Sequence, residues 1–299
     1  MPGITVVVAT RNRASALRRT LDRLRCLPER AELIVVDNGS TDGTRDLVRK
    51  EFPDVRVLAL PRNHGAVARN RGVAAARTPY VAFADDDSWW RPGALGVAVE
   101  LFERHPRLAL VAARTLVGSV ERIDPVSRFM ATAPLGRADD LPGPSVLGFL
   151  ACAAVVRRDA FLGCGGFDPV VFFMGEEERV AYDLAAAGWG LAYCAGVTAH
   201  HHPEPAADPA AKRLLAARNA ALTGWMRRPL PVAAALTADL RRVAADHPDG
   251  ARTVARFAAC LPRALVRRRV PDPAVEAALA RLADAELSSR YSWRRPAAA

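Results

Sequence analysis

Lysine is almost missing from this chain. Only Lys50 and Lys212 occur in 299 residues, so the formal net charge of +10 is carried by arginine, with the excess concentrated in the last third. Such a balance fits nucleic acid, an anionic membrane surface, or a plain compositional preference for arginine. Cysteine is sparse and scattered: Cys26, Cys152, Cys164, Cys194 and Cys260 are odd in number and include no Cys-x-x-Cys. That pattern suggests neither a disulfide framework nor a zinc site, and it suits a reducing cytoplasm. Long hydrophobic runs are absent as well. Uncharged stretches such as Leu141 to Val156 are short and broken by proline and glycine, and no basic-then-apolar leader precedes Ile4, so neither a transmembrane helix nor a signal peptide is expected. No Gly-x-Gly-x-x-Gly follows the first apolar run and no Gly-Lys-Ser/Thr occurs anywhere, which removes dinucleotide-dehydrogenase and P-loop readings. There is no internal repeat.

What is present is enough apolar residue, 51%, to bury a full core. Ile4 to Ala9 is a β-branched run, followed by Leu17, Leu21 and Leu24 at helical spacing. Leu33 to Val36 repeats the strand pattern; a polar turn from Asp37 to Gly43 leads to a short helix through Lys50, and Val55 to Leu60 reads as a third strand. A helix from Ala66 to Ala76 then precedes a strand beginning at Tyr80. Strands alternating with helices predict an α/β fold with a mostly parallel sheet flanked by helices, right-handed crossovers, and ligands gathered at the strands' C-terminal ends. Thr10, Asp37 and Asp85 to Asp87 all fall at such ends.

Beyond Thr115 the alternation weakens, and Pro134, Gly136, Pro142, Gly143 and Pro144 predict a loop over or beside the site. Strands over Ala151 to Arg157 and Leu191 to Thr198 bracket a glycine-rich turn and a helix from Glu176 to Ala187. After Pro203 come Ala/Arg/Leu-rich helices interrupted by prolines. The organisation expected is a nucleotide-sugar half (1–114), an acceptor half of the same domain (115–205) and a C-terminal helical extension (206–299).

The run Tyr80-Val81-Ala82-Phe83-Ala84-Asp85-Asp86-Asp87 delivers three carboxylates to one strand end. Adjacent acids persist either because a cation offsets their repulsion or because they are solvated in a turn. Hard oxygen ligands suit Mg²⁺ or Mn²⁺ shared with substrate phosphates, which makes a nucleoside diphosphate the natural partner. Asp37 could accept from a base or from ribose hydroxyls, or serve only its own turn. Arg69, one turn into its helix, could reach a diphosphate or face solvent. Glu176-Glu177-Glu178 open a helix, where they either offset its dipole or supply a general base. His200-His201-His202 could complete a metal shell, bind phosphate, or lie at the surface. Trp89-Trp90 could stack on a sugar face or pack beneath the site.

The set formed by Val6 to Arg13, Val35 to Thr44, the Arg69/Gly72 helix, Phe83 to Asp87, Gly165-Gly166-Phe167-Asp168 and Gly175-Glu176-Glu177 resembles the family 2 glycosyltransferases of the GT-A fold, over about residues 3 to 203. The resemblance implies a Rossmann-like GT-A domain and an inverting transfer from a nucleoside-diphosphate sugar, UDP or dTDP, to an acceptor hydroxyl on a glycan, a lipid carrier or a small molecule. It implies Thr10, Arg11, Asp37 and Asp42 at the nucleoside, Asp85 and Asp86 with Arg69 at the sugar nucleotide, and Asp87 with Asp85 at the metal. His201, or its neighbour His200, would be the metal-associated histidine. The base would be Glu177, with Glu176 in contention because glutamate stands where the family usually has aspartate. A sugar-nucleotide nucleotidyltransferase is the rival enzyme, although neither lysine lies near the first turn. A noncatalytic basic binding protein acting through Arg263 to Arg269 is the rival outside enzymes, and Arg227-Arg228, Arg241-Arg242 and Arg267 to Arg269 make peripheral contact with the inner face of the membrane an additional expectation; nucleic acid is not expected.

Overall fold

The computed structural model describes residues 3–204 and 208–292. The chain begins β1 (Ile4–Thr10), α1 (Ala14–Arg25), β2 (Glu32–Asp37), α2 (Thr44–Glu51), β3 (Arg56–Ala59), α3 (Ala68–Ala75) and β4 (Tyr80–Asp85). β1, β2 and β4 are nearly continuous apolar runs, buried on both faces, as parallel strands covered by helices must be. Side-chain alternation splits them: Val6 and Val8 pack with Leu17 and Leu21 of α1, whereas Val7 packs with Phe83 and with Val73 of α3. The register pairs Thr10 with Asp37 and Ala9 with Asp85, so three strand ends finish at one level.

The chain continues with β5 (Ser88–Trp90), α4 (Ala94–Arg104), β6 (Leu108–Val117), β7 (Arg122–Ile123), α5 (Pro125–Ala131), β8 (Ala154–Arg157), α6 (Arg158–Gly163), α7 (Glu176–Ala186) and β9 (Gly190–His201). One sheet forms in the order β3-β2-β1-β4-β8-β6-β9-β5, with β7 paired to β6. The α/β sheet flanked by helices is present, and it is mixed rather than purely parallel. β1 to β4 are parallel, and so are β6 and β9, but β8 runs antiparallel between β4 and β6, and β5 antiparallel to β9. An apolar run buried on both faces reads the same in either direction, so Ala154–Arg157 carried no sign of its polarity. β6 itself runs through the 114/115 boundary.

The Pro/Gly-rich stretch does not cover the acids. It packs on the beginning of β9, where the Tyr193 amide donates to Pro144 O at 2.9 Å and Ser145 bridges to Ala192. The acids lie by the far end of that strand.

Four helices follow among the described residues: α8 (Pro209–Arg227), α9 (Leu230–Ala245), α10 (Gly250–Val266) and α11 (Pro273–Ser292). Leu214, Leu222, Met226, Leu240 and Phe257 close a small core with Val170 and Val171. Much of the arginine surplus docks these helices. Arg227 grips both Asp183 oxygens, Arg228 binds Glu276 at 2.7 and 2.8 Å, and Arg267 meets Asp168 at 3.1 Å. Arg268 donates to the carbonyls of Trp225 and Arg228. Arg241 and Arg242 remain exposed. No helix of the described residues is long and apolar enough to cross a membrane.

Candidate active site

Because β1, β2 and β4 end together, the side chains beyond them converge on a cavity of about 670 Å³. That volume suits a nucleotide-sized ligand. Its floor is Ala9, Thr10, Arg11 and Arg13 from the β1 end and Asp85, Asp86 and Asp87 from the β4 end; Asn38, Asn63 and Gly65 form one wall. His201 closes another side, and Val171, Phe172 and Phe173 with Lys212, Leu215 and Arg218 of α8 form the roof.

The three acids have three environments. Asp85 pairs with Arg69, whose guanidinium also lies 3.7 Å from Glu176 and 5.8 Å from the Phe167 ring centre. Arg69 is 5% exposed, and although burial disfavours its charge, Asp85 and Glu176 outweigh that and raise its pKa, so it stays a cation. Asp86 accepts from the Thr10 hydroxyl at 2.9 Å and from Arg13 at 3.3 Å. Burial, with help from the charges of Asp87 and Asp85, pushes its carboxyl up to about 6. Asp87 meets Arg13 through Oδ2 at 3.2 Å and His201 Nε2 through Oδ1 at 3.5 Å. Burial alone would lower the His201 pKa, but the hydrogen bond and charge of Asp87 raise it.

Arg13, which the sequence reading did not single out, is therefore the hub of this cluster, bridging Asp86, Asp87 and Glu204. It neutralises charge that a metal would otherwise neutralise. Among the described residues no three His, Cys, Asp or Glu side chains form a complete metal cage. What is present fits a shared ion: a carboxylate oxygen and an imidazole nitrogen converge at the cavity wall, and further oxygens would come from a bound diphosphate, as Mg²⁺ and Mn²⁺ commonly require.

Not every expected residue reaches the cavity. Asp37 is 0% exposed and is held by Arg45 at 3.0 and 3.1 Å and by the Ser40 amide. Asp42 accepts from Thr44 and Ala14, and the Thr44 hydroxyl holds its carboxyl below the usual range. The next residue along, Asn38, does line the cavity and ties Asn63, His64 and Gly65 together. His200 points to the opposite face from His201, stacking on Trp89 and pairing with Glu121 at 3.4 Å; neighbouring strand residues must alternate in this way. Burial lowers its pKa. Trp90 is wholly buried in the core, and Trp89 contacts His200, His202 and Arg23.

Glu176 and Glu177 do not line the cavity, and they differ from each other. Glu176 is 3% exposed and faces Arg69, while Glu177 is half-buried and accepts from the Ala151 amide at 3.3 Å. Burial first, and then the charge of Glu176, raises the Glu177 pKa well above the ordinary carboxylate range.

The roof is held by Asn219, 1% exposed, which donates to the carbonyls of Phe173 and Met174 at 2.7 Å. Phe172 and Met174 both adopt positive φ, which favours glycine, so this anchor restrains a strained segment. Gly65 at φ +60° lets Phe172 O approach; a Cβ there would stand 2.1 Å from that oxygen.

Residues 5–163, more than half of the chain, match the model for "Glycosyl transferase family 2". The chain belongs to glycosyl transferase family 2. This family 2 chain is 38% identical over 208 residues to the pre-mycofactocin glycosyltransferase of Mycobacterium tuberculosis, an alignment covering 67% of the chain and 43% of that relative. It thus spans less than half the length of that relative. It is 29% identical over 274 residues to the N-acetylglucosaminyl-diphospho-decaprenol L-rhamnosyltransferase of the same species, covering 76% and 87% of the two chains. The glycosyltransferase domain also superposes on a mannosyltransferase of Pyrobaculum calidifontis solved with GDP-Man and Mn²⁺, at TM-score 0.58 and 22% identity over 94% of this chain and 80% of that one. Staphylococcus aureus TarS 1–349 with UDP-GlcNAc gives TM-score 0.58 at 16% identity, over 97% and 91% of the two chains. These likenesses establish the GT-A fold.

Proposed function

We propose that this chain transfers a glycosyl group from a nucleoside-diphosphate sugar to an acceptor hydroxyl with inversion at the anomeric carbon. The observation that carries the reading is the meeting of Asp85, Asp86 and Asp87 with His201 and Arg13 at the wall of one nucleotide-sized cavity. Solved GT-A neighbours carrying GDP-Man with Mn²⁺ and UDP-GlcNAc support a nucleotide-sugar donor here, with UDP and dTDP sugars our first choices. Asn38 and Thr10 face the nucleoside, and Arg11 and Arg13 face its phosphates. Asp37 and Asp42 act behind them by fixing the β2–α2 turn. Asp87 and His201 would hold Mg²⁺ or Mn²⁺, and Asp85, paired with Arg69, would hold the sugar or share the ion. His200 is not proposed as a ligand.

A divalent ion bound there would neutralise charge on the departing diphosphate. Glu177 takes the acceptor hydroxyl's proton; the acceptor oxygen bonds to the anomeric carbon from the opposite face as the carbon–phosphate-oxygen bond breaks, and the nucleoside diphosphate leaves with that electron pair. Glu177 rather than Glu176 is assigned because Glu176 is committed to Arg69, and because a raised pKa makes the Glu177 carboxylate a stronger base near neutrality. The protein would work in the cytoplasm. Contact with an anionic membrane would use Arg241, Arg242 and Arg263 beside the exposed Leu265 and Val266.

The test is release of nucleoside diphosphate from a panel of UDP, dTDP and GDP sugars, in the presence of hydroxyl acceptors, followed by NMR assignment of the product anomer. Turnover with an inverted anomer supports the reading. A retained anomer, or no turnover with any donor from a folded protein that binds none of them, overturns it.

A further inference from the structure

The nucleotide cavity does not end at its roof. A second cavity of about 390 Å³ adjoins it across Phe172, Leu215 and Arg218, which line both. Its outer wall is the face of α10 bearing Arg252 and Arg256, with His247 at the preceding turn and Asp249 the single acid. Along α8, Lys212, Leu215 and Arg218 recur at three-residue spacing, so one stripe of that helix serves both spaces.

Three of the cations there have no carboxylate partner among the described residues: Arg252 meets Asp249 at 3.4 Å, but Lys212, Arg218 and Arg256 pair with none. Arg218 donates only to Asn219 and to the Cys260 sulfur, and its buried Nε has no partner. Where α8 docks against α7 and α11, by contrast, Arg227 pairs with Asp183 and Arg228 with Glu276. Beside these cations lie Leu215 and a 41%-exposed Phe172. A row of unpaired cations along an apolar strip is complementary to a phosphate ester with an apolar or sugar body.

We propose that this groove is the acceptor site and that the acceptor carries a phosphate or diphosphate, bound by Arg218, Arg252 and Arg256, with its body against Phe172 and Leu215. The proposal rests on the glycosyltransferase reading, since it places the second substrate beside the donor. The phosphate ester could come from a lipid carrier or from a soluble sugar phosphate.

Calorimetry would be run on the whole chain with farnesyl phosphate below its micelle concentration and, separately, with glucose 1-phosphate, each with Mn²⁺ and whichever of UDP, dTDP and GDP binds at saturation. The variant is Arg252→Ala/Arg256→Ala, two exposed helical positions where alanine is well tolerated; Arg19→Ala/Arg49→Ala, exposed positions on α1 and α2, is the charge-matched control. The expected result is binding of at least one phosphate ester by wild type and control, weakened about tenfold or more in the variant, as loss of charge-assisted hydrogen bonds implies. Tighter farnesyl phosphate identifies the lipid source, and tighter glucose 1-phosphate the soluble one. Equal affinity in all three proteins, equal loss in variant and control, or no binding by wild type would overturn the proposal. UDP, dTDP and GDP affinities are measured alongside: absence of all three would sink the donor reading, whereas persistence of one with no phosphate-ester binding would sink only the groove.

Discussion

Gly72 offers a prediction whose sign can be worked from the structure. It sits in α3, three residues after Arg69, where the helix crosses the sheet. A Cβ at this position would stand 2.3 Å from Val7 Cγ1 and 3.1 Å from both Val7 Cγ2 and Val36 Cγ2, and both valines are wholly buried. In a helix interior, glycine to alanine normally gains about 1 kcal/mol. Here the added methyl must displace β-branched side chains fixed between sheet and helix, and overpacking of that kind costs about 1–3 kcal/mol. With a 2.3 Å approach to a fixed β-branched side chain the cost falls in the upper part of that range, about 2–3 kcal/mol, so the second effect wins and leaves Gly72→Ala about 1–2 kcal/mol less stable, or roughly 2–8 °C lower in Tm. The control is Gly96→Ala in α4, where a Cβ would meet nothing within 4 Å; it should gain about 0.5–1 kcal/mol. Because α3 carries Arg69 to Asp85, Gly72→Ala should also weaken nucleotide binding. Thermal and urea unfolding of the two variants give the stability signs. A Gly72→Ala protein as stable as wild type would refute the packing argument.

Other predictions concern single groups. Glu177→Gln should lower kcat by about 10²–10⁴ while leaving nucleotide affinity intact; the acid limb of its wild-type kcat profile should fall above the ordinary carboxylate range, because the base must be ionised and its pKa is raised. An acid limb near pH 4 would exclude Glu177. Glu178, pushed by burial up to about 6 from 4.5, favours the fold when protonated, so its contribution is present below about pH 4.5 and is lost as pH rises towards 6. Urea titrations of Glu178→Gln against wild type should therefore converge at low pH and diverge above pH 6, with the variant the more stable. Asn219→Ala removes a buried side chain that donates to the Phe173 and Met174 carbonyls and should cost about 1–3 kcal/mol, seen in Tm, with weaker nucleotide binding as the roof loosens.

The sequence made the nucleotide half legible because its strands are buried on both faces, so Ile4–Thr10, Glu32–Asp37 and Tyr80–Asp85 stand out as β-branched runs, each ending in a polar residue. The same property hid the direction of β8. The role of Arg13 depends on partners far away in the chain, since Asp86, Asp87 and Glu204 draw it into the cavity, whereas Asp37 is taken out of the cavity by Arg45 from the helix that follows it. The alternation of His200 and His201 was readable from strand periodicity alone, once Leu191 to Thr198 was extended by three residues. Asn219, Lys212 and Arg218 carried no local signal, since only the docking of α8 over Val171–Phe173 gives them a place at the site.

The most direct test of the account is calorimetric titration of UDP, dTDP and GDP into wild type and Asp87→Ala, each with Mn²⁺ or with EDTA. The account predicts metal-dependent binding of one nucleotide by wild type, weakened at least about tenfold by EDTA or by the substitution. Binding that is indifferent to both, or no nucleotide binding by folded wild type, would contradict it.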